Sequence, residues 1–355
     1  MGVSKIVLLV ISILLILTVL LPLVKKDFWL FRIFDYPRMQ KFIIILVLCF
    51  CWGCIFPSDA SWLDYAIFIS LLICLTHLGF LIYPFTPLGK KMIGKVKKQK
   101  DAQTLDILVS NVFQDNRDYG RLLKLIKDRN PDIVFLLETD QRWLNGLEKL
   151  RTDFPYFIEV PQENTYGLLF YSKLPIKNEQ VNYLIDDEVP SIAADIEFGP
   201  NTVKIFGLHP TPPVPQENDH STARDAEILL VGKMAKKEKG PCVVIGDLND
   251  VAWSYTTELF LKTSGLLDPR HGRGRFSTFH AKYPLFRWPL DHYFVSRHFG
   301  LISIKVEKNI GSDHFPISIS LMISEKPDKK PMHADAEDKQ LADSKIEAGL
   351  DDNPK

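Results

Sequence analysis

At 355 residues the chain has room for one large domain or two modest ones, and a hydrophobic content of 46% excludes an intrinsically disordered protein. Its 43 basic and 43 acidic residues cancel to a formal net charge of zero. Over residues 101–322 acidic side chains outnumber basic ones by 30 to 25, which argues against a domain built to grip bare duplex DNA.

The first element in chain order is Ile6 to Val24, an almost unbroken run of Val, Ile and Leu. It has the ~20 residues that a bilayer-spanning helix needs. The run is long for a signal peptide, has no small-residue cleavage site after it, and ends in Pro22, Lys25 and Lys26. Two further apolar runs, 42–56 and 62–83, are joined only by "PSDAS" and read as an antiparallel helical hairpin. The expectation is a membrane domain over residues 1–85 with three transmembrane helices. Basic residues flank these runs: Lys25, Lys26, Arg32, Arg38 and Lys41 before the second, and Lys90, Lys91, Lys95, Lys97, Lys98 and Lys100 after the third. By the positive-inside rule both basic segments are cytoplasmic, which places the N-terminus outside and everything after the third run inside. Cys49, Cys51, Cys54 and Cys74 lie inside the apolar runs and Cys242 in a buried strand, with no ligand spacing or disulfide framework.

A basic linker, 86–103, follows. From residue 104 to 322 short apolar runs alternate with turn signals: "LDILVSNVF" and "DIVFLLET" read as strands around the amphipathic helix "YGRLLKLIKDRN". After them come "YGLLFYSKLPI", "IAADIEF", "TVKIFGLHP", a helix over about 221–236, "PCVVIGDLN", a helix near 255–263, "LDHYFVS", "LISIKVEK" and "FPISISLMI". Many strands with few helices predict two packed sheets with helices outside. The stretch 323–355 is polar, with few residues that could fill a core, and reads as a disordered tail.

Polar residues recur where strands end or begin: Asn111, Glu138, His209, Asp247, Asn249, Asp291, Asp313 and His314. One carboxylate after a strand is usually a turn former or helix cap. A set on successive strands can line one cleft, because like ends of adjacent strands converge. Glu138, Asp313 and Asn111 offer hard oxygen ligands suited to Mg²⁺ or Mn²⁺. His314 and His209 offer proton transfer and hydrogen bonds, and a carboxylate such as Asp291 can orient an imidazole. Together these groups suit hydrolysis of a phosphate ester.

With "SNVF", "LLET", "GLLFYSKLPI", "LHPTPP", "IGDLND", "PLDHYFVS" and "GSDHFP" in this order, residues 104–322 resemble the endonuclease/exonuclease/phosphatase superfamily. Its fold is shared by DNase I, abasic-site nucleases, inositol-polyphosphate 5-phosphatases and neutral sphingomyelinases. "HPTPP", "GDLNDVAWS" and "SDHFP" behind three spans look most like its bacterial membrane-anchored branch, to which some glycopeptide-resistance proteins belong. The resemblance implies an α+β, four-layer α/β sandwich, two packed mixed β-sheets flanked by helices, here preceded by three transmembrane helices. It implies Glu138 as principal metal ligand with Asn111 and Asp313 close by, and His314 as the base that activates water, oriented by Asp291. Asp247 and Asn249 would position the scissile phosphate and the nucleophile or leaving group, and His209 would donate to a phosphate oxygen.

Two features have open readings. Arg224 either faces the cleft and binds phosphate or is a solvated helix arginine. The stretch 271–292, with Arg273, Arg275 and five aromatics, is either a packed loop or a substrate wall whose arginines take phosphate and whose aromatics meet apolar substrate. The expectation is a metal-dependent phosphohydrolase of the bacterial cytoplasmic membrane, its domain on the cytoplasmic side, acting on a lipid or lipid-linked phosphate ester. Membrane lipids are its expected partners. The alternative is a membrane-tethered nuclease acting on DNA or RNA.

Overall fold

The N-terminal apolar runs form α1 (Val3–Leu20), the single turn α2 (Trp29–Arg32), α3 (Arg38–Ile55) and α4 (Trp62–Ile82). The computed structural model describes residues 3–55, 60–98, 103–215, 217–324 and 331–352. Most of the expected link between the second and third runs, Lys100 of the linker and the start of the tail lie outside them. Residues 5–24 and 62–85 are long and apolar enough to cross a bilayer, whereas Trp29–Asp35 and Arg38–Cys54 meet that test only as a pair bent by 69°. The three expected spans thus become two apolar helices and one bent element. At the bend, where Pro37 interrupts the helix, Arg38 pairs with Asp35 at 2.6 Å, and the Lys41 ammonium donates to the carbonyls of Thr18 and Phe34 at 2.9 and 2.6 Å. Ser12, a polar residue in an apolar run, accepts a hydrogen bond from Trp52 Nε1 at 3.1 Å and ties α1 to α3. The outward faces leave Leu14, Phe50 and Phe80 exposed, a surface that calls for an apolar surrounding.

The rest of the chain runs β1 (Thr104–Asn111), α5 (Tyr119–Arg129), β2 (Ile133–Leu137), α6 (Gln141–Gly146), α7 (Leu150–Asp153), β3 (Tyr156–Val160) and β4 (Leu168–Ser172). It continues through β5 (Ile176–Asn182), β6 (Ser191–Phe198), β7 (Asn201–Leu208), α8 (Thr222–Lys237), β8 (Cys242–Asp247) and α9 (Tyr255–Ser264). It ends with β9 (Asp291–Val295), β10 (Phe299–Val306), β11 (Ile317–Ile323) and α10 (Ala336–Asp352). Six strands form one sheet in the order β10-β11-β1-β2-β4-β3 and five form the other, β5-β6-β7-β8-β9. Both are mixed: β1 with β2 and β7 with β8 pair in parallel, the remaining pairs antiparallel.

The sheets pack through Phe135, Ile205, Val243, Ile245 and Ile319, and the Tyr293 hydroxyl on β9 bolts them together, its one hydrogen shared between the carbonyls of Ile107 and Ile317 at 3.1 and 2.8 Å. Leu122, Ile126 and Trp143 cover the outer face of the first sheet, and Ile228, Leu229 and Phe260 that of the second. Two sheets inside two helical layers make the expected sandwich.

Two expectations need correction. Part of the basic linker packs on the domain: Val96 N donates to Leu301 O, Leu301 N to Gly94 O, each at 2.9 Å, and Ile93 is buried in the core. The polar tail holds α10, which sets Ala342, Ile346 and Gly349 against α8, an i, i+4, i+7 face. A Cβ on Gly349 would stand 2.3 Å from that of Ala226, so glycine permits the close approach. Lys262 with Asp338 at 3.3 Å and Lys345 with Asp27 at 2.6 Å hold its polar side. Three small or apolar residues in a polar stretch were too few to read as a core face.

Glu227 on α8 is buried, its Oε1 has no hydrogen-bond partner among the described residues, and burial pushes its carboxyl up to about 8. A carboxyl raised in the folded state favours folding only while protonated, so stability falls as pH rises from about 4.5, its ordinary value, through 8. Glu227→Gln is expected to remove that slope and raise the melting temperature at pH 8, an effect on the order of 3–5 kcal/mol at full development. Thermal unfolding at pH 5 and pH 8 checks it; equal pH slopes in the two proteins would refute it.

Candidate active site

The register explains why the polar residues meet. Parallel β1 and β2 end together, with Asn111 opposite Leu137 and Glu138 next in the chain. Parallel β7 and β8 likewise end with Leu208 opposite Gly246, which brings His209 beside Asp247. Antiparallel β9 and β11 begin where their neighbours end, so Asp291 faces Asp247 and the Asp313-His314 turn sits at the same edge. Gly246 is required there: its φ is +144°, and a Cβ would meet the Leu208 carbonyl oxygen at 1.9 Å.

Asn111 joins the two sheets. Its amide nitrogen donates to Glu138 Oε1 at 2.6 Å and to Asp247 Oδ2 at 3.1 Å, while its Oδ1 accepts from the Phe113 amide at 3.0 Å. Its carboxamide therefore presents a donor, not an oxygen ligand, to the two carboxylates. Glu138, at φ +58°, also accepts from the Gln114 amide at 3.3 Å. Burial pushes its carboxyl up to about 7, with Asp313 and Asp247 adding to the shift against the Asn111 hydrogen bond and His314. This is a half-buried site with more negative charge than its partners neutralise, and its donors are hard oxygens, a set that fits a divalent cation.

His314 is buried with Nδ1 donating to Asp291 Oδ2 at 2.8 Å and Nε2 3.5 Å from Asp247 Oδ2. Burial alone would lower its pKa, but Asp291 and Asp247 push it up to about 10. Ser312 Oγ accepts from the His314 amide and donates to the Asn111 carbonyl, both at 2.9 Å, fixing the turn. Asp247, Asp291 and His314 bring ligand atoms within 4.8 Å of one another and form a second possible metal site. His209, also buried, has Nε2 4.0 Å from Asp247 Oδ2 and its pKa lowered to about 4, chiefly by burial. It is a neutral imidazole at physiological pH.

The loop after β8 is held from every side. Leu248 N donates to Leu290 O at 3.0 Å, His292 Nε2 to Asp250 O at 2.8 Å, and Asn249 N to Asp247 Oδ1 at 3.0 Å. Eight of the expected residues thus gather at one edge of the two sheets: Asn111, Glu138, His209, Asp247, Asn249, Asp291, Asp313 and His314.

Two of the three arginines are engaged elsewhere in the structure. Arg224 is 1% exposed and bound to Asp225 Oδ1 and the Asn249 carbonyl, each at 2.8 Å, so it supports the loop from behind. Arg273 donates to the Pro269, His271 and Ile93 carbonyls. Arg275 is half-buried, which lowers its pKa, and has no hydrogen bond or ion pair among the described residues. From the same stretch it is Lys282 that reaches the β1 end, its ammonium 5.7 Å from the Phe113 ring centre. Of the aromatics, Phe279 reaches the site, its ring 4.9 Å from that of His314. Sequence reading missed Gln114, Ser312 and Thr278, whose Oγ1 accepts from the Asp291 amide at 3.3 Å, and Tyr166, whose ring lies 5.5 Å from that of His209. Ser312 stands inside the quoted "GSDHFP"; the others carry no local signal.

Residues 108–314 match the model of a family described as Endonuclease/Exonuclease/phosphatase family. No curated protein sequence matches the chain. Solved structures of similar fold include humanized D. rerio TDP2 with 14 mutations, at 16% identity and a TM-score of 0.51, covering 61% of this chain and 98% of that one. An endonuclease/exonuclease/phosphatase from Beutenbergia cavernae DSM 12333 has 17% identity and a TM-score of 0.51 over 62% of this chain and 72% of that one. The human Nocturnin catalytic domain with bound sulfate has 16% identity and a TM-score of 0.51 over 62% and 95%. At these identities the likeness is one of fold.

Proposed function

The chain belongs to the endonuclease/exonuclease/phosphatase family of phosphoester hydrolases, and from that premise we propose that it is a membrane-anchored, divalent-metal-dependent phosphohydrolase acting on a lipid or lipid-linked phosphate ester. The observation that carries the lipid reading is the loop after α9. Its rings run from Phe279 beside His314, through Trp288, to Phe286, with Tyr36 edge-on to Trp288 at 5.6 Å. Its tip exposes Tyr283, Leu285 and Phe286, and Gln40 near the head of α3 donates to the Leu285 carbonyl at 2.7 Å. An apolar path therefore leads from the reacting imidazole to the apolar helices.

Arg32, between α1 and α3, is ion-paired with Asp225 on α8, so that loop and the catalytic domain share one side of whatever the helices cross. The basic flanks support the cytoplasmic face of a bacterial inner membrane as that side.

In this reading Glu138, with Asn111 and Asp313, would hold Mg²⁺ or Mn²⁺, whose charge would polarise a phosphoryl oxygen. Asn111 would have to turn its amide over to offer oxygen. His314 takes the proton of the attacking water at Nε2, Asp291 holds the imidazole by Nδ1, and Asp247 and Asn249 place the phosphate. Neutral His209 donates to a non-bridging oxygen.

The test is headgroup or phosphate release by the detergent-solubilised protein with Mg²⁺ from lipid phosphates, lipid pyrophosphates and plasmid DNA, with His314→Ala as blank. Lipid turnover that vanishes in the blank supports the proposal; plasmid nicking alone makes the protein a tethered nuclease. Leu285→Asp is expected to cut the ratio of vesicle to water-soluble ester turnover roughly tenfold, the value of one buried leucine.

A further inference from the structure

We infer that the segment joining the first two apolar helices, Asp27 to Arg38, is a positioning element of the active site, acting through Tyr36 on Asn249. The inference rests on the reading above that Asn249 meets the phosphate. Tyr36 donates its hydroxyl hydrogen to the Asn249 carbonyl at 2.9 Å, and Arg224 Nη1 donates to the same oxygen at 2.8 Å. Asn249 stands at φ +49°, a left-handed conformation that asparagine tolerates better than most residues but that still needs external support. Its amide donates to Asp247 and its side-chain nitrogen donates to the Pro210 carbonyl at 2.9 Å. With those groups engaged, the side-chain oxygen and the second amide hydrogen are what remain to meet a substrate.

The segment is itself held rigidly. Trp253 Nε1 donates to the Asp35 carbonyl at 2.9 Å, and Trp29 N to the Asp219 carbonyl at 2.8 Å. Arg32 donates to Thr256 at 2.8 Å and pairs with Asp225, the carboxylate that also holds Arg224. One route therefore reaches the Asn249 carbonyl directly, through Tyr36, and another indirectly, through Arg32, Asp225 and Arg224. A simple tether needs only chain length. Here two donors converge on one carbonyl of the catalytic loop, and one of them comes from outside the catalytic domain.

The test uses the full chain in detergent micelles with Mg²⁺ and bis(4-nitrophenyl) phosphate, comparing Tyr36→Phe, Asn249→Ala and the double variant. Phenylalanine keeps the ring against Trp288 and removes only the donor. Tyr36→Phe is expected to lower kcat roughly 3- to 10-fold, the value of one hydrogen bond, with KM little changed. In the Asn249→Ala background it is expected to cost nothing more, because the carbonyl that Tyr36 holds acts on the reaction only by placing the Asn249 side chain. Amide hydrogen exchange over residues 247–251 is expected to quicken in Tyr36→Phe while the rest of the second sheet keeps its rate. A further full loss in the Asn249→Ala background, or unchanged exchange at 247–251, would overturn the inference. A wild-type protein that turns over none of the probe counts against the hydrolase reading, and the exchange measurement then decides this one by itself.

Discussion

Replacing His314 with alanine is expected to lower turnover by about 10³-fold, the usual contribution of a positioned general acid or base. The imidazole sits where such a group must: Nδ1 is taken by Asp291 at 2.8 Å, which leaves Nε2 as the reacting nitrogen, 3.5 Å from Asp247. Asp291→Asn is expected to cost less, since the asparagine can still orient the ring but no longer balances its charge. The charge state gives a further check. Asp291 and Asp247 overcome the effect of burial and push His314 up to about 10 in the metal-free protein, so its base form is scarce at neutral pH and turnover should climb as pH rises above neutral, over a range that a bound cation moves lower. Asp247→Asn removes one of the raising carboxylates and should move the climb to lower pH. A pH–rate profile that falls over the same range would instead make His314 the acid that protonates the leaving oxygen.

The site was legible because the fold alternates parallel and antiparallel neighbours in a simple way. Parallel strands deliver their C-terminal residues to one edge and antiparallel partners their N-terminal ones, so Asn111, Glu138, His209 and Asp247 could be found after apolar runs and Asp291 and His314 before them. Short motifs marked these places because each polar residue follows or precedes a run with no other reason to end. What reached the site from far along the chain left no such mark. Tyr36 lies 213 residues from Asn249, and its hydroxyl matters only because the helices fold back on the catalytic loop. Arg224 was read by its helix as a surface or cleft residue, yet α8 is covered by α10 and by the Arg32 loop, and charge pairing inside that junction decides where its guanidinium points. The helix α10 was hidden for the reverse reason. Beside the buried Lys345, its buried face is made of Ala342, Ile346 and Gly349, few enough to be overlooked among lysines and carboxylates.

Glu138→Gln is expected to abolish the rise in melting temperature that Mg²⁺ or Mn²⁺ produces in the wild-type protein, and to lower metal affinity by roughly 100-fold or more, beyond the loss typical of outer-shell partners. The metal-free protein should move the other way. Burial pushes the Glu138 carboxyl up to about 7, so between its ordinary 4.5 and 7 the folded state loses stability as pH rises. Glutamine carries no charge to bury and should stabilise the apo protein at pH 8 by up to about 3 kcal/mol, less where water reaches the half-buried group. A bound cation reverses the wild-type cost, because it supplies the positive charge that Asn111 and the Gln114 amide only partly provide. EDTA should therefore destabilise the wild type and leave Glu138→Gln unmoved. The second cluster gives the contrary outcome a definite meaning. If Glu138→Gln keeps the full metal-induced stabilisation and Asp291→Asn loses it, the cation sits among Asp247, Asp291 and His314, and His314 is then a ligand whose Nε2 is not free to take a proton.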